Sequence, residues 1–223
     1  MVIGLLGFIG SGKSTVGDTL CREFSFQKLS FADPLKDAVA QIFSWPRYLL
    51  EGDTVESREF RETVDPWWSE KFSYNVTPRY MIQLMGTEAG RNVFHTDLWV
   101  HSLARKILPD RNYVVPDVRF PNEIDFIRKS GGFTVRVCRG PEPEWFELAK
   151  ADNEGLVGEA NVPGMHIRYP KIHFSEWAWI GTKLDYVLKN DDTLEVLDAS
   201  IKYMLKKFYN PNGIEKRTHD EAR

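Results

Sequence analysis

One stretch near the amino end carries the sharpest chemical pattern in the chain. Gly7-Phe8-Ile9-Gly10-Ser11-Gly12-Lys13-Ser14 satisfies G-x-x-x-x-G-K-[ST] at every fixed position. Glycines let backbone N–H groups turn inward around phosphate oxygens, and a helix starting at Lys13 points its positive end at them. Gly10, Ser11, Gly12, Lys13, Ser14 and Thr15 are the residues expected to cradle a nucleoside triphosphate. Lys13 would set a point charge on the β- and γ-phosphates, and Ser14 would offer a hydroxyl to Mg²⁺. The metal needs a second oxygen ligand at the end of a neighbouring strand. Asp117, emerging after the apolar run Tyr113-Val114-Val115-Pro116, fits best. Asp33 competes for that role, with helix capping as its plainer alternative.

A phosphate cradle does not say which molecule accepts the phosphoryl group. Arg79, Gln83, Thr87 and Arg91 recur at four-residue steps, a slowly rotating polar stripe opposite Tyr80, Met81, Leu84 and Met85. Two planar cations suit phosphate, and an amide between them can read a base edge. A solvent-facing stripe is the plainer alternative. Arg119 follows Asp117 by two residues, and Arg136 and Arg139 lie on and just after the next strand. Transfer between two anions needs cations that bridge donor and acceptor, which Arg119 and Arg139 could provide together with Lys13 and Asp117. A phosphate acceptor is already nucleophilic at neutral pH, so no general base is required.

Strands and helices must alternate to bring these groups together. Residues 2–6 read as a buried parallel strand and 13–24 as a helix with Val16, Leu20 and Phe24 in helical register. A second strand is expected over 27–31, and Asp33-Pro34 reads as a cap followed by proline, opening a helix that stops near Pro46. Thr77-Pro78 repeats that signal for a helix to about residue 90, and another helix fits 97–108. Strands over 113–115, 133–138 and 184–188, with helices over 122–130 and 192–208, complete the alternation. Leu194, Leu197, Ile201, Met204 and Leu205 share one side of the last helix. Residues 44–76 show no clear period and read as a mobile connection with one short helix. Residues 140–175, with four prolines and four glycines, read as a lid or insertion. The expected fold class is α/β: a P-loop NTPase-type parallel sheet with helices on both faces, plus acceptor-binding and lid-like insertions. Residues 1–209 form one domain, with a helical acceptor-binding region at 44–110 and a frayed polar tail at 210–223.

Composition narrows the class of function. The chain has 223 residues, 42% of them apolar, and 29 basic against 32 acidic side chains give a net charge of −3. That balance argues against gripping a nucleic-acid polymer. Two cysteines, Cys21 and Cys138, are too few for a disulfide framework, and no apolar run is long enough to span a bilayer. A cytoplasmic protein is expected.

Taken in order, the motifs resemble those of the phage-type deoxynucleoside monophosphate kinases, a branch of the P-loop nucleoside monophosphate kinases. The resemblance rests on the phosphate loop, Ala32-Asp33-Pro34-Leu35-Lys36-Asp37, Arg79-Tyr80-Met81-Ile82-Gln83-Leu84-Met85-Gly86-Thr87, Trp99, and Val115-Pro116-Asp117-Val118-Arg119. Arg139, His173-Phe174-Ser175-Glu176 and Asn190-Asp191-Asp192-Thr193-Leu194-Glu195 extend it. It implies ATP as donor, with Mg²⁺, and a deoxynucleoside 5′-monophosphate as acceptor in the host cytoplasm if the source is viral. It carries acceptor binding onto Lys36, Arg79, Gln83, Thr87 and Trp99, with Asp33 and Arg91 alongside, and phosphate contacts onto Arg119 and Arg139. The stretches 44–76 and 140–172 match poorly, so lid arginines such as Arg168 stay open, as does a homodimer. Trp67, Trp68, Trp177 and Trp179 are read as packing residues first. A kinase of another small metabolite, such as dephospho-coenzyme A, is the main alternative. A GTPase-type switch is a weaker one: Thr182-Lys183-Leu184-Asp185 and Asp152-Asn153-Glu154-Gly155 spell T-K-x-D and D-x-x-G, but neither has the flanking strand that such a motif needs.

Overall fold

Alternation along the central strand, β1 (Val2–Leu6), decides the layering. Val2 and Leu6 face one side of the sheet and Ile3 and Leu5 the other, and all five residues are buried. The computed structural model describes residues 1–157 and 163–208. Around β1 it places β2 (Gln27–Lys28), β3 (Tyr113–Val115), β4 (Phe133–Cys138) and β5 (Tyr186–Lys189) in the order β2-β3-β1-β4-β5, every pair parallel. The register pairs Gly4 with Val115 and Leu6 with Arg136. The carboxyl ends of β3, β1 and β4 therefore lie side by side.

Helices α1 (Lys13–Phe24) and α10 (Leu194–Phe208) cover one face, packing Val16, Leu20, Leu197, Ile201 and Met204 on Ile3, Leu5, Val135 and Leu188. Leu194 stays exposed, because the helix starts two residues later than expected. The other face is covered by α6 (Leu98–Ala104), α7 (Pro121–Lys129) and α8 (Phe146–Asn153), with the short α9 (Met165–Arg168) beside them. A third apolar cluster joins α2 (Asp33–Phe43) to Trp45, Leu50, Val76 and Met81.

Two segments depart from the sequence expectation. Residues 44–76 are packed: a 3₁₀ turn (Arg47–Leu50), α3 (Val55–Glu62) and α4 (Pro66–Phe72) follow one another. Aromatic hydrogen bonds pin them, with Trp45 Nε1 on Asp65 at 2.7 Å and Trp68 Nε1 on the Phe43 carbonyl at 3.1 Å. Thr54 and Asp65 cap the two helices. Each element is too short to show a period, which hid them. The described part of 140–175 likewise seals a sheet face, burying Ala149 and Met165, with Trp177 and Trp179 just beyond. The tail expectation concerns residues outside those described. Among the described residues no helix is long and apolar enough to cross a membrane.

The helix expected from Thr77 changes character midway. Thr77 caps it as expected, accepting the Tyr80 N–H, and α5 (Pro78–Gln83) runs into a π-helical stretch, Leu84–Phe94. Within that stretch the Trp99 indole N–H, from α6, donates to the Gly86 carbonyl at 2.8 Å. Gly86 is needed there for close approach, since a Cβ would stand 2.7 Å from Leu35 of α2.

Candidate active site

The phosphate loop leaves β1 and enters α1 as the motif requires. Gly10 and Gly12 take positive φ values of 82° and 97°. Lys13 Nζ donates to the carbonyls of Gly7 and Phe8, 2.8 Å each. Ser11 Oγ is buried without a hydrogen-bond partner, a polar atom suited to a phosphate oxygen. Ser14 and Thr15 are exposed on the first turn of α1. Cradle, orphaned hydroxyl and ammonium all fit a nucleoside triphosphate. Two further contacts hold the loop. Phe8 sits edge-on to Trp145 and Phe146 and tilted against Trp179, with the Arg136 guanidinium over Phe8, Phe146 and Trp179. Asn190, at the end of β5, donates Nδ2 to the Ser11 carbonyl at 2.9 Å. A Cβ on Gly12 would lie 2.2 Å from that amide. Asn190→Ala removes the brace and should weaken ATP binding by about 1 kcal/mol, roughly fivefold, readable as a raised KM for ATP with acceptor KM unchanged.

Asp117 stands beyond β3 with its carboxylate largely committed. Oδ2 accepts Ser30 Oγ at 2.7 Å and the Ala32 N–H at 2.9 Å, and Oδ1 accepts the Phe31 N–H at 3.2 Å. These bonds bend residues 30–32 away from the sheet, so β2 ends at Lys28 and the strand expected to residue 31 is shorter. Asp33 is not the cap of α2. Ala32 occupies that position and Asp33 opens the helix, 3.3 Å from Arg47. Burial, with the Asp117 charge added, raises the Asp33 pKa. Lys36 pairs with Glu51 at 2.6 Å.

Arg119 turns toward the phosphate loop. It pairs with Glu176, and its charge, after burial, helps press the Lys13 pKa down to about 8, against the pull of Glu176 and Asp117. Burial opposes ionisation of Glu176, yet Arg119, Arg79 and Lys13 together hold its carboxyl below the usual range. Arg79 pairs with Glu62 of α3. Between them lies Arg61, which sequence reasoning missed. Its Nη1 donates to the Glu51 carbonyl at 3.3 Å, its buried Nε has no partner, and none of the ion pairs among the described residues includes it. Burial, then the charges of Arg79 and Arg119, bring its pKa down to about 10. Lys13, Arg119, Arg79 and Arg61 thus lie near enough to act on one another, with Glu62, Glu176 and Asp117 interleaved among them.

The four-residue stripe does not stay together. Gln83 and Thr87 are half-buried, while Arg91 turns inward to a buried pair with Glu123 and stacks 3.8 Å from the Phe120 ring. Glu123 also accepts the N–H groups of Arg119 and Phe120, so the pair fixes the turn that presents Arg119. Thr87 and Arg91 line a cavity of about 790 Å³ with Asn122, Phe120 and Phe174. Trp99 is half-buried and braces the helix through Gly86. Arg139 is exposed just past β4, and Arg168 is exposed on α9. Glu123 had a weak signal, an acid one turn past Arg119; Asn190 stood in a segment that carries the resemblance, without a sign of its contact with Ser11, and Arg61 had no signal.

The two GTPase-like patterns have structural employment. Asp185 accepts both the N–H and Oγ1 of Thr134, 2.8 and 2.7 Å away, and pairs with Arg128. Asp152 accepts the Met165 N–H at 2.7 Å. Asp185 is thus committed away from a guanine, and Asp152 away from the role of a switch aspartate.

A phosphate loop on the central strand of a parallel sheet, faced by cations from a helical insertion, defines the P-loop kinases. No family model matches the chain. A protein of Acanthamoeba polyphaga mimivirus described as a deoxynucleotide monophosphate kinase is 36% identical over 153 residues, 62% of this chain and 74% of that one. The deoxynucleoside-5′-monophosphate kinase of Escherichia phage T5 is 28% identical, over 78% of this chain and 89% of its own. Among solved structures, shikimate kinase from Aquifex aeolicus covers 93% of this chain and 97% of its own at 15% identity, with a TM-score of 0.42. The chain belongs to the deoxynucleoside monophosphate kinase family.

Proposed function

We propose that this chain transfers the γ-phosphoryl group of ATP to a deoxynucleoside 5′-monophosphate. The bond from the γ-phosphorus to the β,γ-bridging oxygen breaks, and a bond to an acceptor phosphate oxygen forms. ADP and a deoxynucleoside diphosphate leave, and no protein base takes a proton. The supporting observation is the phosphate loop, with its buried unpartnered Ser11 hydroxyl, and the cations Lys13, Arg119, Arg79 and Arg61 grouped near one another. One triphosphate fills the loop, and a second anion satisfies guanidiniums that the carboxylates only partly neutralise.

In this reading Gly10, Ser11, Gly12, Lys13, Ser14 and Thr15 hold ATP. Ser14 and Asp117 are the hard oxygens offered to Mg²⁺, Asp117 through the lone pair that its three donors leave on Oδ1. When bound, that ion neutralises charge on the transferring phosphates. Arg119, with Arg139 closing from β4, bridges donor and acceptor. Arg79 and Arg61 take the acceptor phosphate. Gln83 and Thr87 meet its nucleoside, while Lys36, Asp33, Trp99 and Arg91 shape the pocket. The enzyme works on free nucleotides in the cytoplasm, the host's if it is viral, and not on nucleic-acid polymers.

A panel of nucleotide and dephospho-coenzyme A acceptors, with ATP and coupled ADP detection, tests the assignment. Turnover on dephospho-coenzyme A without turnover on any deoxynucleotide would overturn it. Gln83→Ala should reorder the preference among bases while leaving KM for ATP in place. An unaltered acceptor ranking removes Gln83 from the pocket.

A further inference from the structure

Three side chains outside the phosphate site converge where the π-helical stretch hands over to α6. His95 follows Phe94 directly, Asp97 precedes α6, and His101 lies one turn into it. One ligand atom from each falls within 4.8 Å of the other two. We propose that His95, Asp97 and His101 form a binding site for a divalent transition-metal ion of borderline softness, with Zn²⁺ as the prototype. This site is separate from the Mg²⁺ that serves phosphoryl transfer.

The donor set argues for that class of ion. Two imidazoles and one carboxylate match the nitrogen and oxygen ligands of Zn²⁺, Co²⁺ and Ni²⁺, whereas Mg²⁺ and Ca²⁺ prefer all-oxygen shells. Around a tetrahedral ion with bonds of about 2.0 Å, ligand atoms sit about 3.3 Å apart. The observed spread closes to that with small rotations of two exposed histidine rings, whose centroids are already 5.7 Å apart.

The backbone between the ligands is pinned. Leu98 N donates to the His95 carbonyl at 3.0 Å and His101 N to the Asp97 carbonyl at 2.8 Å. The Asp97 carboxylate is oriented from outside, since Oδ1 accepts Asn122 Nδ2 at 2.7 Å and Oδ2 is left for the ion. His95 Nδ1 accepts the Asp97 N–H at 3.0 Å, which fixes the orientation of the ring beside the cluster. The neighbouring Arg91 does not repel a cation strongly, because Glu123 neutralises it.

Three protein ligands leave one coordination position for water. The ion would clip the end of the helix that carries Gln83 and Thr87 to the helix that carries Trp99. Its expected role is to stiffen that junction, and turnover does not depend on it.

The test uses the full chain, without a histidine tag, stripped with chelator and titrated with Co²⁺ in excess Mg²⁺. One Co²⁺ per chain should bind with the visible absorption of a near-tetrahedral centre, and Zn²⁺ should displace it. His101→Gln and His95→Gln should each weaken binding tenfold or more, while His166→Gln changes nothing. Zn²⁺ should raise the Tm of the unmodified chain and leave that of His101→Gln unmoved, with acceptor turnover equal in both without added transition metal. If His101→Gln does not fold, His95→Gln carries the comparison. Absence of stoichiometric Co²⁺ binding, or an affinity unchanged from the parent chain in both histidine variants, overturns the proposal.

Discussion

Lys13→Ala should lower kcat by about 10³-fold, the scale on which a single pre-oriented charge at a reacting oxygen acts. The fold should survive. Lys13 spends its hydrogen bonds on two loop carbonyls, Gly7 and Phe8, and contributes no apolar packing to the sheet. Its titration gives a second, independent readout. Burial and Arg119 bring the Lys13 pKa down to about 8 from 10.5. Between those values the folded chain holds fewer protons than the unfolded one, so this group makes folding more favourable as pH rises through that window. A triphosphate beside the amine raises its pKa again, so ATP binding near pH 8.5 should take up a fraction of a proton. Calorimetry in two buffers of different ionisation enthalpy measures that uptake, and Lys13→Ala should abolish it. Unchanged kcat, or undiminished proton uptake, would detach Lys13 from the phosphates.

How legible each part was follows from how local its cause is. The phosphate loop needs one strand, one turn and one helix start, all within Val2–Phe24, and it is where the sequence places it. Thr77 and Pro78 opened a helix for the same local reason. The polar stripe failed as a geometric unit because its cause is distant. Four-residue steps drift by about 40° on an α-helix, and the wider turn after Gln83 reverses that drift. Trp99, thirteen residues past Gly86 on another helix, bonds to the middle of that wider stretch. Arg79 then pairs with Glu62 on α3 and Arg91 with Glu123 on α7. Arg61 was invisible for a related reason. A charged residue on a short, polar helix looks like any solvated arginine until the fold sets Arg79 and Arg119 beside it. Asn190 meets the phosphate loop across 179 residues of chain, and the proline-rich stretch read as a lid is recruited to the sheet by tryptophans whose partners lie at the amino end.

Arg61 gives the sharpest test of the acceptor site, because activity and stability should move in opposite directions. In the folded chain its charge is held against burial and two neighbouring guanidiniums, which bring its pKa down to about 10, below that of the free group. Below that value the folded state carries the charge at a disadvantage, since the unfolded chain solvates it freely. Arg61→Met keeps an unbranched apolar stem and deletes the guanidinium that lies beside Gly52. The variant should unfold no earlier than the parent, and about 2–4 °C later if 1 kcal/mol of repulsion is relieved. Its kcat/KM for the deoxynucleotide should fall by about 10²-fold, while KM for ATP changes little, because the hydrogen bond of Arg61 goes to the Glu51 carbonyl and not to the phosphate loop. Arg61→Lys should recover part of the loss, having the charge without the planar fork. Such a pattern marks a cation retained for an anion that arrives later. A variant that loses several degrees of Tm while keeping its acceptor KM would make Arg61 a structural residue, leaving Arg79 and Arg119 to hold the second phosphate.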